Sequence, residues 1–249
     1  ETAGVTISAV TDDSGNPPAA GATEGTTMYC AVAGTDMARA DQTTAQGVTL
    51  FAYSGTKATG DIDGGTATIT VANTDAGKQK SMACVACHGV NGNSVNPIWP
   101  KLAGQSAHYI TLQLQYFKSG ERVAPLMNGL AEGLSDQDIL DIASYFSKQK
   151  VNAETYSGDD TSLELAEKLY KGGDIKRRIP ACSGCHGPDG SGNDLAAYPR
   201  ISGQHAEYLI QQLRKYKTAE RKNPMMNTIA SRLQDSEIIM IANYIQALY

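Results

Sequence analysis

The sequence predicts a multidomain chain, with a small all-β N-terminal domain followed by two all-α domains in tandem. Three observations predict it. The segment "PKLAGQSAHYITLQLQYFKSGER" from Pro100 returns as "PRISGQHAEYLIQQLRKYKTAER" from Pro199, 99 residues later. Apolar residues recur at helical spacing through both copies. The first 75 residues show period-two alternation instead.

Residues 1–75 are rich in Thr, Ala and Gly. Alternation in "VTISAV", "TTMYCAV", "VTLFAYS" and "TATITVA" predicts short strands, joined by turn sequences such as "DDSGNPP" and "DIDGG". This segment nets −7, whereas residues 76–158 and 159–249 each net +1, within an overall charge of −5. The asymmetry concerns solubility and partners rather than fold. No basic stripe points to nucleic acid. No apolar run approaches the roughly 18 residues of a membrane helix. A chain beginning at Glu1 is what removal of an export signal would leave.

The first copy is expected over 76–150, a linker over 151–158 and the second copy over 159–249. Ile110, Leu114 and Phe117 define one helix, matched by Leu209, Leu213 and Tyr216. Ile139, Ile142 and Phe146 follow Ser135, matched by Ile238, Ile241 and Ile245. Leu163, Ala166, Leu169 and Tyr170 mark a further helix, with Thr161 or Ser162 as its cap. Three helices per copy, separated by Gly- and Pro-rich loops, leave a thin core for about ninety residues.

Each copy carries Cys-x-x-Cys-His followed by glycine: Cys84, Cys87 and His88, then Cys182, Cys185 and His186. A shared zinc site would need two such pairs to converge or further ligands in each copy, and neither copy has another cysteine. A thioredoxin-like pair would need a βαβ context. Covalent attachment of haem c uses the frame directly, with two thioethers fixing the ring and the histidine ligating iron. A haem in each copy would also supply the missing core.

The repeat supplies candidates for the sixth ligand. Met127 lies seven residues before Leu134, and Met226 seven before Leu233. The 98-residue offset of the Cys motifs points to Met225 instead; the Leu frame is closer in sequence and favours Met226. Both lie in loops after a proline. His/Met ligation raises the haem potential.

With these motifs, residues 76–249 resemble a dihaem cytochrome c of the c4 type, two class I cytochrome c domains in tandem. "CVACHG" and "CSGCHG", "PKLAGQ" and "PRISGQ", and "LSDQDILDIASYF" carry the resemblance. It implies export, haem attachment outside the cytoplasm, and a periplasmic or extracellular location. It implies two haem c groups that pass single electrons between redox proteins, such as a terminal oxidase or other cytochromes. It also implies that the Pro100 and Pro199 carbonyls hold the proximal histidines. The β-rich extension lies outside the family pattern.

Two further readings remain open. Residues 1–75 could self-associate by strand addition, making the dihaem unit a polymerised or surface-anchored conduit. A dihaem thiosulfate dehydrogenase-like enzyme would use Cys30 or a displaced methionine at an active haem; mid-strand, Cys30 reads instead as an inert buried thiol. His108 and His205 stand at non-equivalent positions and read as surface or capping residues. Trp99 and most of the twelve tyrosines read as haem-packing or interface aromatics. Lys176, Arg177 and Arg178 read either as a solvated loop or as a docking patch for an acidic partner.

Overall fold

The computed structural model describes residues 72–249, except 153, 157, 158, 195 and 249, and three strand segments before them. These are β1 (Val5–Thr11), β2 (Tyr29–Val32) and β3 (Ala67–Ile69), paired antiparallel in the order β2-β1-β3. Ile7 faces Val32 on one side and Ala67 on the other. The expected strand in "VTLFAYS" and the side chain of Cys30 lie outside the described residues. Three paired segments do not by themselves establish the expected β-domain. The chain divides into a unit over residues 1–73 and a second over residues 74–249.

The second unit has ten helices among its described residues. The first copy contains α1 (Thr74–Lys80), α2 (Met82–His88), α3 (Ala107–Ser119), α4 (Pro125–Glu132) and α5 (Asp136–Ser147). The second contains α6 (Asp160–Gly172), α7 (Ser183–His186), α8 (Ala206–Lys217), α9 (Pro224–Ala230) and α10 (Asp235–Ala247).

Periodicity revealed α3 and α5 in the first copy and α6, α8 and α10 in the second; α1, with the sequence TDAGKQK, carries no apolar stripe. The others are the Cys motifs themselves (α2, α7) and the methionine segments (α4, α9), which are helices rather than loops. They are too short for a repeat of 3.6 to show. Pro125 and Pro224 open α4 and α9, where the missing N–H would be unpaired in any case. The cap of α6 is Asp159, not Thr161 or Ser162: its carboxylate accepts from the Ser162 amide at 2.9 Å.

In each copy the last helix is the axis of packing. α1 and α3 lie against α5, and α6 and α8 against α10. The predicted stripes turn inward: Ile139 and Phe146 are fully buried, as is Ile238, with Ile142, Ile241 and Ile245 nearly so. Capping boxes start both axial helices, Ser135 with Asp138 and Gln234 with Glu237, satisfying amides that the first turn leaves open.

Gly77 sets the closest approach. A Cβ there would stand 1.9 Å from the Asp141 carbonyl oxygen of α5. Gly77→Ala is expected to force α1 off α5 and cost about 1–3 kcal/mol, the usual range for overpacking, in denaturant unfolding of the haem-loaded protein. Gly172→Ala, where nothing lies within 4 Å, is expected to be neutral or slightly stabilising.

Candidate haem sites

Cys84, Cys87 and His88 occupy one short helix, so both thiols and the imidazole share a face. Glycine follows each histidine because the chain must leave that helix at positive φ: Gly89 at +79° and Gly187 at +83°. The loop then folds back. The Gly92 carbonyl accepts from the amides of Leu102 and Ala103, and the Gly190 carbonyl from those of Ile201 and Ser202. The one-residue insertion in the second copy falls inside this loop. There Asn193 and Tyr198 form a bridge and Ala197 takes a φ of +55°.

The fold-back delivers a carbonyl to each histidine. His88 Nδ1 donates to Pro100 O at 2.9 Å, and His186 Nδ1 to Pro199 O at 2.9 Å. A carbonyl only accepts, so the proton belongs on Nδ1, and among the described residues no hydrogen bond engages Nε2 of either ring. Burial pushes both imidazole pKa values down, more than the proline carbonyls raise them. At neutral pH each ring is an uncharged base presenting one lone pair.

Burial pushes the Cys84 thiol up, with a smaller contribution from Cys87. Cys182 is pushed up to about 11 by burial. Tetrahedral zinc needs four ligands, and the described residues gather no group of three His, Cys, Asp or Glu side chains that could hold a metal ion. Paired thiols beside an imidazole with a free Nε2 suit haem c. Arg200, next to Pro199, has a buried Nε with no partner; a haem propionate is an acceptor of the kind it lacks.

The methionines occupy equivalent helices. Asn128 Nδ2 donates to the carbonyls of Phe117 and Arg122, and Asn227 Nδ2 to those of Tyr216 and Arg221. Because Asn128 and Asn227 make the same bonds, their preceding residues Met127 and Met226 correspond. Met225 is half exposed, as is its counterpart Leu126.

The cytochrome c family model matches residues 74–150 and again 165–249. Cytochrome c4 of Azotobacter vinelandii is 42% identical over 187 residues, covering 70% of this chain and 88% of the relative. The chain belongs to the cytochrome c4 family. The crystal structure of reduced recombinant cytochrome c4 from Pseudomonas stutzeri superposes with a TM-score of 0.69 at 41% identity, covering 72% of this chain and all of that one. A protein of Thiomonas intermedia named thiosulfate dehydrogenase electron acceptor is 33% identical, covering 69% of this chain and 81% of the relative. This cytochrome is therefore a dihaem electron-transfer protein, with haem c fitting each Cys-x-x-Cys-His frame.

The two haem domains of this cytochrome c4 are joined by a pseudo-twofold set of polar contacts. Gln204 accepts from the Lys101 amide at 2.8 Å and donates to the Lys101 carbonyl at 2.9 Å. Gln105 does the same at Arg200, at 2.9 and 2.8 Å. Tyr109, Gln113 and Arg122 meet their counterparts Tyr208, Gln212 and Arg221. Motif reading passed over these residues. Their signal was available: each recurs 99 residues later, and all but Lys101/Arg200 recur unchanged.

His205 is a correction. It is buried within this interface: Nε2 donates to Ser94 O at 2.8 Å, and Nδ1 faces Glu154 at 3.0 Å. Lys101 reaches the same carboxylate at 2.8 Å. His108 is exposed, as expected, and Trp99 half-buried. In the basic loop Arg177 is held by Asp174 and Glu237, so Lys176 and Arg178 alone present charge, beside the exposed Ile175.

Replacing Gln105 and Gln204 together by Ala leaves amides and carbonyls of both domains unpaired, at about 1–3 kcal/mol per buried group. Calorimetry is expected to resolve two unfolding transitions in the double variant and one in the parent.

Proposed function

We propose that iron is held between His88 and Met127 in the first domain and between His186 and Met226 in the second. Cys84 with Cys87, and Cys182 with Cys185, would carry the thioether links. The observation that carries this is the repeated geometry: a neutral imidazole fixed through Nδ1 by a proline carbonyl, with a methionine at the matching helix position. Bound haem c supplies the ferric/ferrous couple. The chain's own contribution is to exclude water, hold each imidazole in one tautomer through Pro100 or Pro199, and offer a thioether that favours the ferrous state.

In this reading the protein accepts electrons one at a time from a redox protein and delivers them to another, such as an oxidase or a second cytochrome. Export to the periplasm is part of the proposal, since the attachment chemistry belongs outside the cytoplasm. The protein is a carrier rather than an oxidase of sulfur oxyanions; supporting this, the Thiomonas relative is named as the electron acceptor of such an enzyme. The domain limits at 75/76 and 150–159 belong to the same proposal. Self-association through residues 1–75 and a catalytic Cys30 concern side chains outside the described residues.

Met127→Ala and Met226→Ala are each expected to lower the midpoint potential of one haem only. The ferrous-to-ferric ratio at the parental midpoint should fall more than tenfold, which is above about 59 mV for one electron. Met225→Ala is expected to leave both potentials in place. Loss of potential in Met225→Ala with none in Met226→Ala would reverse that assignment.

A further inference from the structure

Just before its Cys motif the second copy carries a loop that the first copy lacks. Ser81 alone separates α1 from α2, whereas residues 173–182 separate α6 from α7. This loop is fastened along its length. Asp174 and Ile179 exchange both backbone hydrogen bonds at 2.8 Å, and the Arg178 amide donates to Ile175 O at 3.1 Å. The Arg177 guanidinium donates to Asp174 at 2.7 Å and to Glu237 of α10 at 2.9 Å. Arg232 donates to the Arg178 carbonyl. Gly173, at a φ of +66°, lets the chain double back: a Cβ there would stand 2.3 Å from the Ile179 carbonyl oxygen.

The fastening treats the two isoleucines of the loop oppositely. Ile179 is buried at 3% exposed, whereas Ile175 is 91% exposed. Lys176, its neighbour, is exposed, as are Arg178 and Arg232. Arg177 and Arg214 have carboxylate partners; among the described residues Lys176, Arg178 and Arg232 have none. Arg178 also takes a φ of +56°, in the region that favours glycine, and such strain persists where the surroundings impose it. A lone exposed apolar side chain is ordinary on a protein surface. Here a closed turn holds it out, ringed by three uncompensated cations. A contact organised in advance loses little freedom on binding, and an apolar centre with a polar rim is the anatomy of an interface.

We propose that the 173–180 loop is the docking site for an acidic redox protein that exchanges electrons with the second haem. Carboxylates on that partner complement Lys176, Arg178 and Arg232, steering the encounter and fixing its orientation. Ile175 supplies the centre from which water is excluded. The loop runs through Pro180 into Cys182, the proposed thioether residue, so a partner seated on Ile175 is brought to the attachment side of that haem. One electron passes between the partner's redox centre and the iron, with no bond made or broken. Because the first domain has no equivalent loop, an acidic partner is directed to the second.

The inference rests on the two-haem reading and is tested by stopped-flow reduction of the ferric holoprotein with flavodoxin hydroquinone, an acidic donor. The anionic hydroquinone gives one electron to iron and becomes the neutral semiquinone. The parental second-order rate constant is expected to fall as ionic strength rises. The double variant Lys176→Gln with Arg178→Gln is expected to lower it about three- to tenfold at low salt and to flatten its salt dependence. Ile175→Ser is expected to lower it by a similar factor with the salt dependence kept. Lys78→Gln with Lys150→Gln removes the same charge elsewhere and is expected to leave the rate near parental. Loop variants with parental rates would overturn the assignment. So would an equal fall in the Lys78 and Lys150 variant, since net charge would then be the cause. Midpoint potentials are measured on the same samples: a loop variant whose slowing comes with a shifted potential acts on the haem instead of the partner, and also overturns it. Haem content per chain separates the two readings. Fewer than two haems in the parent defeats the two-haem reading itself, whereas two haems with unmoved rates defeats only the docking site.

Discussion

The structure turns on the hydrogen bond from a buried histidine Nδ1 to a proline carbonyl, made at 2.9 Å in both domains. It fixes the tautomer and leaves Nε2 as the free base. It also explains the loop from the Cys motif to the proline, whose fold-back on Gly92 or Gly190 has no other evident purpose than to bring that carbonyl home. The next residue along, Lys101 or Arg200, is the one whose amide and carbonyl are bridged by a glutamine of the other domain. The path from proposed iron ligand to domain interface is therefore one hydrogen bond, one covalent step and one further pair of hydrogen bonds. An interface so placed holds the two haem sites in a fixed relation.

Duplication gives this interface its symmetry, and departures from symmetry distinguish its halves. The second copy has a longer entry helix, 13 residues against 7 in α1. It also has an extra loop closed by the Asp174–Ile179 bridge and by Arg177 on Glu237. His205 stands where the first copy has Ser106, and its ring fills a buried position between Ser94 and Glu154. Ser106 instead caps α3, accepting from the Tyr109 amide. The first copy's serine caps a helix and also donates to Asp194 of the other domain, whereas the second copy's histidine is wholly buried in contacts with Ser94 and Glu154. Two haems in such surroundings have different neighbours despite a common cradle.

Much of this was legible in the sequence because it obeyed local rules. The helical stripes of α3, α5, α8 and α10 carry enough turns to show a period, and their expected residues turn inward, all buried except Leu213 and Tyr216 of α8, which are half-buried. The Cys motifs are legible as chemistry, since few functions need two thiols and an imidazole in five residues. The methionine helices were not legible as helices, because a proline followed by six or seven residues reads equally as a loop. His205 was misread for a related reason. A polar residue at a helix start is usually a cap or solvent-exposed, and only tertiary contact with Ser94 and Glu154 makes it a buried interface residue. The interface arginines lacked any motif. They become visible once polar identity between the copies is weighted as heavily as apolar periodicity.

The central claim is that each domain holds a low-spin haem between a histidine and a methionine. Near-infrared magnetic circular dichroism of the ferric protein, calibrated by haem content per chain, tests it most directly. The account predicts two haems per chain, both with the charge-transfer signature of methionine on ferric iron. A bis-histidine or thiolate signature at either haem, or a high-spin fraction approaching one haem per chain, would contradict it.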